Sequence, residues 1–365
     1  MENTNDIYRS LQQHLDKQAV GFPASKSGSD IRLLQKLFSA EQASLALHLN
    51  YQPQSAAEIF ESVKSSGMSL ENLESMLKEM VGNGAIGVVE RNDSQCYFTM
   101  PLLVGIVEWH NSKATPQYAA ALAEYMQDSG FARAFVSTKV SQMRTIPVEK
   151  SIQVDHHITT YDHLKEIINS SEGPIGVNRC MCRENASRRG QPCHKTSRSE
   201  TCMVFGDWAK HFIEAGLTKK ITREEALEIA RQNEADGLVL QPTNYQKVDF
   251  VCACCGCCCG ILRIQKSIPK PAAFWASNFY ASVDTEKCSS CETCVERCQV
   301  NAVKIDEKTS YATINLDRCI GCGNCVVSCP SEALSLVKKE IEKVPPANLE
   351  SLYKIMVENR AVAPG

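Results

Sequence analysis

Apolar residues recur at helical spacing from residue 31: Ile31, Leu34, Leu37 and Phe38, then Leu45 and Leu49, which predicts one or two helices over 31–48. Ser55 and Glu58 carry the spacing of a capping box, opening a helix that stops near Gly67. A further helix follows from Ser69, with Leu70, Leu73, Met76, Leu77 and Met80 on one face. The pattern then changes to GNGAIGVVERNDSQCYFTM, a strand, a turn at Asn92 and Asp93, and a second strand. Beyond it, TPQYAAALAEYMQDSG predicts a helix ended by Gly130, TIPVEKSIQV a strand and YDHLKEIINSS a helix. Gly216 closes another helix. Thr222 and Glu225 cap one that ends at Gly237, and a last helix lies near 347–358 behind Pro345 and Pro346.

Helices followed by such a hairpin resemble a winged helix-turn-helix domain, here 30–112 behind an N-terminal extension of 1–29. The fold class expected is α+β and multidomain. A mixed α/β, cysteine-rich domain covers 113–268, a ferredoxin-like domain 269–340, and a C-terminal helix and tail 341–365. The helix in the DNA-reading position carries Glu71, Glu74 and Glu79 against Lys78 alone, so it would repel phosphates. Protein docking or homodimerisation is the better use for it. Gly82, Gly84 and Gly87 match G-x-G-x-x-G, but they follow a helix and enter a strand, the reverse of a dinucleotide site.

Composition narrows the classes. The 365 residues carry a net charge of −3, with no global pull toward nucleic acid or anionic lipid. No stretch reaches the roughly 18 apolar residues of a membrane span. The polar N-terminus lacks a signal-peptide core, so a cytoplasmic protein is expected. Nineteen cysteines in that reducing setting point to metal ligation or redox chemistry rather than disulfides. Only Cys96 lies before residue 180; the other eighteen fall between 180 and 329.

Eight of them form an internal repeat. VDTEKCSSCETCVERCQVNAVKI and INLDRCIGCGNCVVSCPSEALSL align at an offset of 31 residues, each supplying C-x2-C-x2-C-x3-C. Three thiolates at this spacing can wrap one face of a cubane, and the fourth belongs to the other cluster. The expected ligand sets are Cys288, Cys291, Cys294 and Cys329 for one [4Fe–4S], and Cys319, Cys322, Cys325 and Cys298 for the second. Residues 283–337 resemble a bacterial two-cluster ferredoxin. Gln299 departs from that motif, which places proline after the fourth cysteine, as Pro330 does in the second half. Zinc ribbons would need two C-x2-C pairs instead.

Ten cysteines remain: Cys180, Cys182, Cys193 and Cys202, then Cys252, Cys254, Cys255, Cys257, Cys258 and Cys259 within VCACCGCCCG. Neighbours in an extended chain point to opposite sides, so these thiols divide over two sites, each drawing on both segments. One or two additional iron–sulfur clusters would use them. Two cubanes would leave two thiols spare, and two five-ligand non-cubane clusters would use all ten. The double CCG resembles the cysteine-rich domain of heterodisulfide reductases, which holds non-cubane clusters, although the spacing differs. Zinc or redox-dithiol use is the rival reading. Ten Lys or Arg between 178 and 223, Arg183 among them, face four acids, a basic surface suited to a redox partner or an anion.

His156, His157 and His163 have no metal-site spacing around them, Asp162 reads as a helix N-cap, and no nucleophile elbow, P-loop or paired carboxylates appear. From 30 to 340 the chain is similar to a broad group of anaerobe 4Fe–4S dicluster proteins, which implies electron transfer and names no substrate. The expected function is an electron-transfer component that relays single electrons between the C-terminal pair and the middle domain and serves a redox partner protein. A redox-sensing regulator and a reductase with a catalytic middle cluster are the alternatives.

Overall fold

The computed structural model describes residues 4–91, 93–128, 130–153 and 158–360. Two compact units emerge. The first gathers the described residues up to Lys139 with 188–190 and the C-terminal helix; the second holds the described residues of 140–187 and 191–349.

In the first unit, α1 (Thr4–Asp16) buries Tyr8, Leu11 and Leu15, and the Tyr8 hydroxyl donates to Phe38 O at 2.9 Å. This helix is packed within the first unit, because its apolar residues share one face. The helical spacing over 31–48 resolves into two helices, α2 (Ser29–Leu37) and α3 (Ala40–Ala46). Ser39 interrupts it, forming a full capping box with Gln42. After β1 (Gln54–Ser55), α4 (Ala56–Val63) opens on the Ser55–Glu58 box and α5 (Leu70–Gly82) on Ser69. The hairpin β2 (Gly87–Arg91) and β3 (Ser94–Phe98) joins β1 in the order β1-β3-β2. Gly84 has φ 74°, and a Cβ there would lie 2.6 Å from His110 N, so it makes a close turn rather than a phosphate cradle. Helices α6 (Val107–His110), α7 (Pro116–Asp128) and α8 (Phe131–Ser137) complete the run.

The second unit is built on a five-stranded antiparallel sheet. Its strands are β4 (Ile175–Arg179), β5 (Glu200–Phe205), β6 (Lys219–Ile221), β7 (Val239–Pro242) and β8 (Phe250–Cys254), in the order β6-β4-β5-β8-β7. Around it lie α9 (Leu164–Ser170), α10 (Met181–Arg188), α11 (Gly206–Glu214), α12 (Arg223–Ala235) and α13 (Gly260–Ser267). Ile168, Val177, Met203, Leu238 and Val251 form its core. The strand expected at TIPVEKSIQV is absent from the described part of that stretch. Ile146 makes one bridge to Leu240, and the chain then turns through 149–151. Pro147 interrupts the ladder, and the Val148 N–H goes to Cys322 O at 3.1 Å. Asp162 is no N-cap. It is buried, 3.3 Å from the Arg144 guanidinium and 2.6 Å from Asn278 Nδ2, while His163 holds the cap position of α9.

The repeat follows with α14 (Pro271–Phe274), β9 (Phe279–Val283), α15 (Thr293–Arg297), β10 (Val303–Ile305), β11 (Ala312–Ile314), α16 (Asn324–Val327) and β12 (Leu334–Lys338). β9 pairs with β12 and β10 with β11, both antiparallel. The halves share their backbone down to left-handed residues. Ser290 (φ 59°) matches Gly321 (66°), Glu292 (62°) matches Gly323 (74°), and Asn301 (57°) matches Glu332 (52°). The last helix, α17 (Leu349–Arg360), returns to the first unit, where Arg360 Nη1 donates to Gln18 O at 2.5 Å.

Candidate metal centres

The repeat brings its eight cysteines into two quartets. Cys294 neighbours Cys329, Cys288 and Cys291; burial, then their charge, raises its thiol. Cys322 neighbours Cys298 and Cys319, and burial pushes it up to about 12. Cys325 faces Cys322, Cys319 and Cys298, and also Cys294, so the quartets adjoin. Each takes three thiols from one half and the fourth from the other. Four backbone amides donate to these sulfurs: Ala281 to Cys319 (3.4 Å), Ala312 to Cys288 (3.4 Å), Ala302 to Cys298 (3.1 Å) and Ala333 to Cys329 (3.3 Å). Clustered thiolates hold an iron–sulfur group and amides aimed at them tune it, so these residues fit two [4Fe–4S] groups. Cys291 is exposed, whereas Cys319 and Cys325 are buried.

Six of the ten middle cysteines close into a ring. Cys180 adjoins Cys182 and Cys202; Cys202 adjoins Cys252; Cys254 lies between Cys252 and Cys259; and Cys259 returns to Cys182. Local structure explains the aim of each. Cys180 and Cys182 flank the entry to α10, Cys202 lies on β5, and Cys252 and Cys254 share one face of β8. Cys259 caps α13. Cys180 and Cys252 hold the Cys202 thiol well below its usual range. Asn178 is the cross-strand partner of Cys202, and Gln241 that of Cys252. Asn178 Oδ1 and both amide atoms of Gln241 are buried without a hydrogen-bond partner. Orphaned polar atoms on the face that carries these thiols fit a bound sulfide-bearing group.

Arg183 belongs to this ring and not to the basic surface in which its sequence position placed it. Its side chain is buried, donating to Thr201 Oγ1 at 2.6 Å and Ala253 O at 2.7 Å. Burial works against its charge, but Cys180, Cys202, Cys255 and Cys254 outweigh that and hold it protonated. Two other cations of that surface are paired, Arg179 with Glu184 at 3.0 Å and Arg198 with Asp236 at 3.0 Å.

The remaining four thiols, Cys193, Cys255, Cys257 and Cys258, have Sγ atoms all within 4.8 Å of one another. Cys193 lies 3.6 Å from Cys255 and 3.7 Å from Cys257, and Cys257 lies 3.7 Å from Cys258. Cys255 follows Cys254 in extended chain and so points away from the ring. At Cys193 burial is outweighed by the amides of Lys195 and Thr196 and by Cys255 and Cys257, which bring the thiol down to about 7. Burial pushes Cys255 up to about 11.

Gln299, the departure from the ferredoxin motif, joins the repeat to the middle cysteines. Its Oε1 accepts from Gly256 N at 2.8 Å and its Nε2 donates to Gly237 O at 3.2 Å. Gly237 O also accepts from Asn324 Nδ2 at 3.2 Å. Nothing in the sequence marked this role except the missing proline. His163 pairs with Glu149 at 2.7 Å, and His156 and His157 lie outside the described residues.

No curated protein matches the chain. Residues 281–344 match the model of the 4Fe-4S dicluster domain. With the cysteine groups, that match makes this an iron–sulfur protein with an electron-transfer role.

Proposed function

We propose that the chain is a relay in which the two dicluster quartets exchange single electrons with a further cluster held by the six-thiol ring, on behalf of a redox partner protein. Bound to these thiolates, iron–sulfur groups supply one-electron carriers and need no acid–base residue. The observation that carries the reading is the Gln299 bridge. Cys298 completes the inner quartet, and the next residue is hydrogen-bonded to Gly256 amid the middle thiols. Cys288, Cys291, Cys294 and Cys329 hold the outer group, with exposed Cys291 at the face a partner would meet. Cys319, Cys322, Cys325 and Cys298 hold the inner one. Cys180, Cys182, Cys202, Cys252, Cys254 and Cys259 hold the third, with Arg183 offsetting its negative charge.

In the first unit, α4, α5 and the β2–β3 hairpin serve as a winged-helix-like docking module. Glu71 and Glu79 are exposed on α5, which favours a protein over nucleic acid.

The test is iron and sulfide content with redox-titrated EPR on anaerobically isolated protein. The relay requires more than the roughly eight irons of two cubanes, and a reduced signal that Cys252→Ser abolishes and Cys291→Ser leaves in place. Eight irons with no effect of Cys252→Ser would sink it.

A further inference from the structure

We infer that Cys193, Cys255, Cys257 and Cys258 bind a single zinc ion as a closed tetrathiolate site, separate from every iron–sulfur group in the chain.

A tetrahedral zinc with bonds to sulfur of about 2.3 Å sets its four sulfurs about 3.8 Å apart. The three separations along this group are 3.6, 3.7 and 3.7 Å, and all four atoms lie within 4.8 Å. A cubane cannot accept that spacing. Each of its thiolates sits on a different iron, so every sulfur–sulfur edge is longer by the metal–metal distance. The molecule carries its own comparison. Each dicluster quartet has as many cysteines and the six-thiol ring has more, yet among the described residues only this group brings all its ligand atoms within 4.8 Å of one another.

Chemistry and local structure agree with the scale. Four thiolates with no fifth ligand or open position are a structural zinc set, and soft sulfur selects zinc over harder ions. Zinc displaces the four thiol protons, leaving a site of net charge −2. Cations and amides stand ready for it: Lys195 N donates to Cys193 Sγ at 3.4 Å, and Lys266 Nζ to Gly256 O at 2.6 Å inside the same loop. Adjacent Cys257 and Cys258 can serve one ion because the chain turns there instead of running extended. The ion would tie the loop around Gly256 to the segment carrying Cys193, fixing the wall against which Gln299 docks.

The test is zinc and iron per chain, by mass spectrometry, on full-length protein isolated anaerobically from zinc-replete medium. Wild type should retain one zinc, and Cys193→Ser and Cys258→Ser should lose it with iron unchanged. Cys193→His keeps a zinc ligand while removing a thiolate, so it should retain the ion. Wild type grown with cobalt should show thiolate-to-cobalt charge transfer and tetrahedral ligand-field bands, a readout independent of whether any variant folds. Wild type with neither zinc nor the cobalt spectrum, or Cys193→Ser losing iron, would overturn the assignment. Iron in the Cys252→Ser variant reports on the relay separately, so either reading can fail alone.

Discussion

Ala281 and Cys319 are joined by a backbone hydrogen bond, N to Sγ 3.4 Å, and 31 residues along the chain Ala312 makes the same bond to Cys288 at 3.4 Å. The bonds cross, each half serving the first cysteine of the other. An N–H donor to a ligating thiolate favours the more negative, reduced state. Ala312 opens β11, where proline is tolerated. Ala312→Pro should lower the potential of the group held by Cys288 by roughly 20–60 mV, about 0.5–1.4 kcal/mol for one electron. Potentiometric EPR reads it, and an unchanged potential would remove the amide from the account.

Restoring the ferredoxin proline at Gln299 should harm this protein. Gln299→Pro deletes the acceptor for Gly256 N–H and the donor to Gly237 O. A buried N–H left unpaired costs about 1–3 kcal/mol. Global stability should fall by that amount, and the Gly256 amide should exchange faster, while the iron of the repeat stays. Gln299→Glu keeps the acceptor and should retain the slow Gly256 exchange. Equal exchange in the two variants would contradict this role.

These two residues show where the sequence could be read and where it could not. The 31-residue offset, the boxes at Ser55–Glu58 and Thr222–Glu225 and the crossing of quartets are local or periodic signals, visible without coordinates. Alternation along an extended chain also separates Cys254 from Cys255. It cannot say that Cys257 and Cys258 face one way, because a turn replaces the strand there. Strands β4 and β5 and helix α10 are hidden in the sequence because glycine, cysteine and charged residues break the apolar period. The burial of Arg183 is a property of α10 packing over β5 and β8, and no count of nearby Lys and Arg contains it.

Glu292 occupies the left-handed position that Gly323 fills in the second half, φ 62° against 74°. A side chain there costs about 1–2 kcal/mol, partly offset by its lower freedom in the unfolded chain. Glu292→Gly should therefore stabilise the protein by about 0.5–1 kcal/mol in chemical unfolding. A destabilisation would mean that the carboxylate makes a compensating contact.

Asp249 carries a pH signature. Burial pushes its carboxyl up from 3.8 to about 6, although the Tyr245 hydroxyl donates to it at 3.1 Å and opposes the rise. The folded state holds the proton more tightly than the unfolded chain, so this group favours folding at low pH. That advantage is lost as pH rises through about 6. Asp249→Asn has no such window. Its stability relative to wild type should climb between about pH 4 and 6 and then level off. A gap independent of pH across this range would show that Asp249 titrates normally.

Arg183 supplies the sharpest test of the ring, because charge and hydrogen bonding can be varied separately there. Its guanidinium reaches Thr201 and Ala253 at once while standing among Cys180, Cys202, Cys254 and Cys255. Lysine keeps the charge but not the planar fork; methionine keeps the bulk and neither. If the cation offsets a cluster's reduced state, the ring potential should fall in the order wild type, Arg183→Lys, Arg183→Met. Arg183→Met should also cost about 3–5 kcal/mol, since it leaves buried thiolates without their partner. Potentials of the dicluster quartets should move far less, because neither contains a thiol that Arg183 adjoins. Were all three potentials to shift equally, Arg183 would be acting through the fold as a whole. The middle thiols would then lose their claim to a cluster of their own.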